Sequence, residues 1–256
     1  MGQRIIALAH QDDRFEIAAA LEAAGHPALG RDAGELAGVG PLATPIRPHA
    51  DADEGAEFDV LIDFSLPAGT MASVDLCLKV RRPMVIGTTG HADEELARIR
   101  AAAETLPVLK APNMAVGVNV LFRLAGQVAA ALGDEYDIEI VESHHRFKAD
   151  APSGTAMELL NQVCQATGRD PTSDAAYGRQ GQTGQRPPRQ IGMHALRVGD
   201  TVGEHEVHFG CLGETLVLRH AAHTRDTFTR GALRAAAWVV GRPPGFYTMQ
   251  DVLFGS

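Results

Sequence analysis

From Val141 to Met157 the sequence reads Val-Glu-Ser-His-His-Arg-Phe-Lys-Ala-Asp-Ala-Pro-Ser-Gly-Thr-Ala-Met. It leaves an alternating run, Tyr136 to Val141, that predicts a strand, and enters apolar spacing at Ala156, Leu159, Leu160 and Val163 that predicts a helix. The loop between them holds His144, His145, Lys148 and Asp150. Pro152 keeps the residue before it out of the helical region. Ser153 is placed to cap the helix, whose first amides belong to Gly154 and Thr155. Such amides have no partner inside the helix and sit at its positive end. A carboxylate can bind there, and Gly154 has no side chain to hold it away. A histidine adds a proton carrier near neutral pH, and Lys148 adds a cation. Together these features describe a site for a small acidic molecule undergoing proton transfer.

Outward from this loop the chain divides by pattern. Residues 2 to 10 predict a helix, and Phe15 to Leu21 a strand ending at the acidic Glu22. Residues 25 to 57 read mostly as loop, with a short strand near Thr44 to Arg47. Phe58 to Phe64 is a buried strand, after which Ser65 caps and Pro67 opens a helix to about Val80. Strand Met84 to Ile86 ends in Gly87-Thr88-Thr89-Gly90. A helix follows at about 92 to 105, then a strand at 107 to 110 ending in Ala111-Pro112-Asn113-Met114. This alternation predicts an α/β fold with a doubly wound, Rossmann-like parallel sheet.

A long helix from Ala115 to about Leu132 leads to the His-His loop. Residues 168 to 190 read as a flexible lid or inter-subunit arm. Runs at 191 to 198, 203 to 210 and 214 to 221 predict an antiparallel meander, before a returning helix at 226 to 240. The predicted domains are 1–114 plus 225–256, and an inserted α+β domain at 115–224 with an antiparallel or mixed sheet.

Ligands of such parallel sheets bind beyond the carboxyl ends of the strands. Gly87, Thr88, Thr89, Ala111, Pro112, Asn113 and Met114 fall there. Glycine admits a planar ring close to the backbone, and the Thr hydroxyls and Asn amide suit a carboxamide. Glu22 stands where a dinucleotide fold holds its ribose hydroxyls. His205 and His208 would point to opposite faces of a strand. Like His220 and His223 they read as surface or interface histidines, with no metal expected.

Composition narrows the classes. The net charge of -9, with no Lys/Arg run, argues against nucleic-acid binding. Apolar runs read as short and interrupted, so no membrane span is expected. The start Met-Gly-Gln-Arg carries no secretory pattern, so a cytoplasmic location is expected. Cys77, Cys164 and Cys211 are scattered and odd in number, as free thiols in a reducing compartment are.

The run Glu142 to Ala156, of the form E-x-x-H-H-x-x-K-x-D-x-P-S-G-T-A, resembles the signature of the 4-hydroxy-tetrahydrodipicolinate (dihydrodipicolinate) reductase family. The resemblance covers essentially the whole chain. It implies NADH- or NADPH-dependent reduction of 4-hydroxy-tetrahydrodipicolinate to tetrahydrodipicolinate, towards diaminopimelate and lysine. By motif position His144 is the acid/base and Lys148 the proton donor. His145, Gly154 and Thr155 seat the carboxylates of a small dicarboxylate, and Asp150 organises the loop. The Gly87–Thr89 and Ala111–Met114 segments match those contacting the nicotinamide half. Ala23 stands where some members carry an arginine for a 2′-phosphate, so the coenzyme choice stays open. The resemblance also implies a homotetramer built through the second domain's sheet.

The family begins with a strand and a G-x-x-G-x-x-G turn, of which only Met1-Gly2 match the end. The chain as written is therefore expected to bind coenzyme weakly and to be poorly stable, because such a first strand is central and buried. Two other readings stay open: a nicotinamide enzyme acting on a different small acid, and an inactive oligomeric relic.

Overall fold

The computed structural model describes residues 1–51 and 57–255. Residues 52–56, part of the long loop expected at 25 to 57, lie outside the described residues. In chain order the elements are α1 (Gly2–Ala9), β1 (Ala20–Glu22), α2 (Ala33–Ala37), β2 (Ile46–Pro48), β3 (Leu61–Asp63), α3 (Pro67–Val80), β4 (Met84–Ile86), α4 (Asp93–Ala102), β5 (Pro107–Lys110), α5 (Val116–Leu132), β6 (Asp137–His144), α6 (Gly154–Thr167), β7 (Ala175–Tyr177), β8 (Ile191–Arg197), β9 (Gly203–Cys211), β10 (Glu214–Ala222), α7 (Asp226–Val239), β11 (Gly245–Tyr247) and α8 (Met249–Phe254). The chain divides into two units, Met1–Val116 with Asp226–Ser256, and Gly117–Arg225.

In the first unit β11, β5, β4 and β3 form a parallel sheet in that order. At its centre β4 and the middle of β5 are short apolar runs buried on both faces, as parallel strands are. Val85 and Leu109 face α7 and α8 through Ala232, Ala236 and Val252. Met84, Ile86 and Val108 face the opposite layer with Val74, Cys77 and Ile99. β1 and β2 pair in parallel only with each other among the described residues. The strand expected over Phe15–Leu21 shrinks to Ala20–Glu22. Phe15 and Ile17 instead pack as irregular chain beside Leu8, Leu233 and Ile62. Ser65 does not cap α3, whose N-cap is Leu66. Its hydroxyl donates to Asp63 Oδ1 at 2.6 Å. β11, absent from the sequence reading, adds an edge strand beside β5.

The second unit has a five-stranded mixed sheet in the order β10-β9-β6-β8-β7. The expected meander is only a β9–β10 hairpin. β8 runs parallel to β6, and β6 separates it from β9. The register sets Ile138 beside Ile191 and Ile140 beside Met193. These four join Val207, Phe209, Leu159, Leu160 and Val163 as fully or almost fully buried side chains. Helix α6 starts on Ser153, whose side chain accepts the Ala156 amide, and stops at Gly168 in the left-handed region, as capping chemistry demands.

Helix α5, with the turn after it (Val116–Glu135), is long and apolar enough to cross a membrane by length and composition. This differs from the expectation of short, interrupted apolar runs. Val118, Leu121, Phe122, Ala125 and Ala129 are buried, and a Cβ on Gly126 would stand 3.2 Å from the Gln162 carbonyl of α6. It packs as a core helix of its unit.

The arm expected at 168 to 190 is tied down. Arg169 and Arg189 pair with Asp134, Arg186 with Asp137 and Glu139, and Arg179 with Glu139.

Candidate active site

The predicted site residues fall into two groups, one in each unit. In the second unit the site is assembled where β6 ends and α6 begins. His144 closes β6 rather than lying on the loop. On the same strand face, two residues earlier, Glu142 is completely buried. Its carboxylate is fully engaged. Oε2 lies 2.5 Å from His144 Nδ1 and accepts Arg197 Nη1 at 2.9 Å. Oε1 accepts Arg197 Nη2 at 2.8 Å and the Ser153 amide at 3.0 Å. Burial alone would raise the Glu142 pKa, but Arg197, His144 and the Ser153 amide outweigh it and hold the carboxyl below its usual range. Burial lowers the pKa of His144, and Glu142 partly opposes this.

His205 was expected at the surface or at an interface. It is 3% exposed, with its ring edge-on to His144 at 5.2 Å between centroids and Nε2 3.2 Å from Ser153 Oγ. His208, as predicted, takes the other face, where it pairs with Glu206. His220 stands opposite His205 in the β9–β10 register and fills the space a side chain on Gly117 would need. A Cβ on Gly203 would come within 3.1 Å of His144 Nε2, so glycine there makes room for the ring.

Lys148 Nζ is held by Asp150 at 2.8 and 2.9 Å. His145 is half-buried, with Nδ1 unpartnered among the described residues. Gly154 is exposed and nothing lies within 4 Å of where its Cβ would be. The helix start is therefore open in front of Gly154.

Burial pushes the His205 pKa down to about 3, and His144 adds to the effect. The folded protein then carries His205 neutral, while an unfolded chain protonates it below about pH 6.5. Its contribution to stability is whole above that pH and is lost as pH falls towards 3. Between about pH 7 and pH 5 the loss is on the order of 2 kcal/mol. Urea unfolding at the two pH values should show this loss, and His205→Gln should show a smaller one. Equal losses in both proteins would exclude His205 as the source.

In the first unit a cavity of about 210 Å³ opens beyond the carboxyl ends of β4 and β5. Met1, Gly87, Thr89, Pro112, Asn113 and Met114 line it, together with Phe64 and Phe228, which the sequence reading missed. The other predicted coenzyme residues do not line it. Thr88 turns its hydroxyl inward, donating to Asp63 Oδ2 at 2.8 Å and accepting the Ser65 amide at 2.9 Å. Ala111 is buried in the core. Glu22 ends β1, and its Oε1 accepts the Ala23 amide at 2.8 Å. A Cβ on Gly87 would overlap the Phe64 ring as it stands, so the glycine also leaves room for the protein's own ring. Asn113 Oδ1 accepts the Ala115 amide at 2.9 Å, which fixes the turn.

Residues 1–114 match the family described as Dihydrodipicolinate reductase, N-terminus, and residues 117–253 match Dihydrodipicolinate reductase, C-terminus. The chain belongs to the dihydrodipicolinate reductase family. A 4-hydroxy-tetrahydrodipicolinate reductase of Syntrophus aciditrophicus is 47% identical over 256 residues, spanning 99% of this chain and 94% of the relative. One from Magnetococcus marinus is 49% identical over 253 residues with the same coverage. Among solved structures, dipicolinate-bound dihydrodipicolinate reductase from Paenisporosarcina sp. TG-14 shares the fold, with a TM-score of 0.75 at 23% identity, over 99% of this chain and 95% of that one.

The dihydrodipicolinate reductase signature includes Glu142 and Ser153, but spacing alone assigns them no partners. Arg197 lies 55 positions from Glu142 and His205 lies 52 from Ser153. Only the pairing of β8 and β9 on either side of β6 brings them together.

Proposed function

We infer that this chain catalyses the NAD(P)H-dependent reduction of 4-hydroxy-tetrahydrodipicolinate, with loss of water, to tetrahydrodipicolinate, a step of lysine and diaminopimelate biosynthesis. The observation that supports the reading is the hydrogen-bonded link from His144 through Glu142 to the Ser153 amide at an exposed helix start, with Lys148 close enough to act on His144, in a chain of this family.

The first unit offers a seat for the nicotinamide end of the coenzyme. The cavity is smaller than pockets that enclose a whole ligand, which run from about 300 Å³ upward, and its size suits a single ring. Thr89, Asn113 and the turn backbones supply polar contacts, while Phe64 and Met114 supply apolar ones. When bound, the nicotinamide supplies the hydride. Glu22 offers a carboxylate to two free ribose hydroxyls and would repel a 2′-phosphate. That favours NADH over NADPH.

The chain's own residues handle the acid and its protons. The amides at Gly154 and Thr155, at the positive end of α6, hold one carboxylate of the substrate, and His145 holds the other. Lys148 Nζ, now shared with Asp150, gives its proton to the position that gains electron density. His144 exchanges a proton through Nε2, since Nδ1 is committed to Glu142. The exposed apolar side chains Leu196, Val198 and Val217 of the five-stranded sheet and its turns support a homotetramer built on that sheet.

The test is reduced-coenzyme oxidation with a panel of small acids that includes the freshly generated dipicolinate precursor, run with NADH and NADPH. Turnover should require that precursor and be faster with NADH. A different acid turned over faster would make the chain another reductase. No turnover and no coenzyme binding would leave the relic.

A further inference from the structure

We propose that Glu142 is a positioning residue for the reaction: its buried carboxylate locks His144 in the tautomer protonated on Nδ1, which leaves Nε2 as the working nitrogen. The proposal deepens, and rests on, the reading of His144 as acid/base.

A carboxylate can only accept, so the 2.5 Å contact to His144 Nδ1 makes that nitrogen the donor. Glu142 is kept ionised by the two-pronged Arg197 grip and the Ser153 amide. It is wholly buried, and the His144 side chain is 12% exposed. No hydrogen bond to Nε2 exists among the described residues, and Gly203 leaves that nitrogen room. The ring is held on three sides: by Glu142 from its own strand, by the edge of His205 from β9, and by the bare backbone of Gly203. Orienters of this kind fix which ring nitrogen carries the proton.

A buried carboxylate could also serve only to anchor the loop, and the experiment must separate the two. In the wild-type protein, nitrogen NMR of labelled histidine, assigned with His144→Gln, should show Nδ1 protonated and Nε2 bare at neutral pH. In Glu142→Gln the amide NH₂ can face the ring and invert the tautomer. Turnover should then fall at least about tenfold, towards the roughly 10⁴-fold loss seen where a serine-protease triad is locked in the wrong tautomer. KM for the acid should change far less than kcat.

The charged or titratable groups facing His144 are Glu142 on β6, Arg197 on β8, Lys148 on the loop and His205 on β9, with His220 of β10 behind His205. Of these only Glu142 raises the histidine's pKa, so its loss should move the His144 limb of the pH–rate profile to lower pH. An anchoring role alone would not move that limb or the tautomer.

A folded Glu142→Gln with wild-type kcat and pH profile overturns the proposal, as does a wild-type His144 protonated on Nε2. If Glu142→Gln does not fold, the wild-type tautomer decides. Undiminished turnover in His144→Gln would overturn the acid/base reading itself. Loss there with no change in Glu142→Gln overturns this proposal alone.

Discussion

Lys148→Ala should lower turnover by about 10²- to 10⁴-fold, the usual contribution of a positioned proton donor. The fold should hardly notice. The side chain's partner in the structure is Asp150, whose side chain is 62% exposed, and such pairs contribute at most about 1 kcal/mol. No buried group loses a partner when Nζ is removed. Asp150 would lose the cation that now holds its carboxyl below the usual range, but it would lose it to water. Steady-state rates and denaturant unfolding, measured side by side, separate chemistry from stability. Near-native turnover would remove Lys148 from the mechanism, and a large drop in stability would make it a structural residue.

Gly231→Ala should have the largest effect on stability, about 3 kcal/mol, the upper part of the usual range for overpacking. Gly231 is buried in α7, and an added methyl would fall on the Met114 carbonyl oxygen and near its carbon. A flexible side chain could swing aside from such a clash, but a peptide group in a turn cannot. The turn in question carries Asn113 and Met114, which line the cavity of the first unit. The same substitution should therefore weaken nicotinamide binding as well as stability. Gly2→Ala is the control for stability, because nothing lies within 4 Å of its added methyl. If Gly231→Ala unfolds at the wild-type denaturant concentration and binds coenzyme normally, the helix and turn are not in the contact described.

Much of the layout was legible wherever the cause is local. Pro67 and the apolar run behind it mark α3, and Met84–Ile86 and Pro107–Lys110 read as buried strands because they are short, apolar and bounded by turn residues. Ser153 and Gly168 delimit α6 by capping rules that involve only neighbours. What failed depended on distant partners. Phe15–Leu21 alternates like a strand, yet Phe15 and Ile17 pack against Leu8 and Leu233 without a ladder. The meander failed because β6 intervenes between β8 and β9, which no property of residues 191–221 announces. In the site, the His-His pair, Lys148 and the helix start were visible as a motif. His205 was not, because a histidine on an alternating strand looks the same whether its face meets water or another ring. Gly87 was explained by a ligand alone, and the Phe64 ring, which also lies where a side chain there would go, was not foreseen.

The Glu142 carboxylate joins three things that would otherwise vary separately: the strand bearing His144, the neighbouring strand bearing Arg197, and the backbone that opens α6. A lineage that reshaped the helix start to admit a different acid would drag the imidazole with it, and one that altered the imidazole would disturb the seat. With the roles proposed above for His144 and the helix start, selectivity and catalytic competence would change together, whereas the exposed loop residues Arg146 and Phe147 could vary without disturbing the strand beneath them.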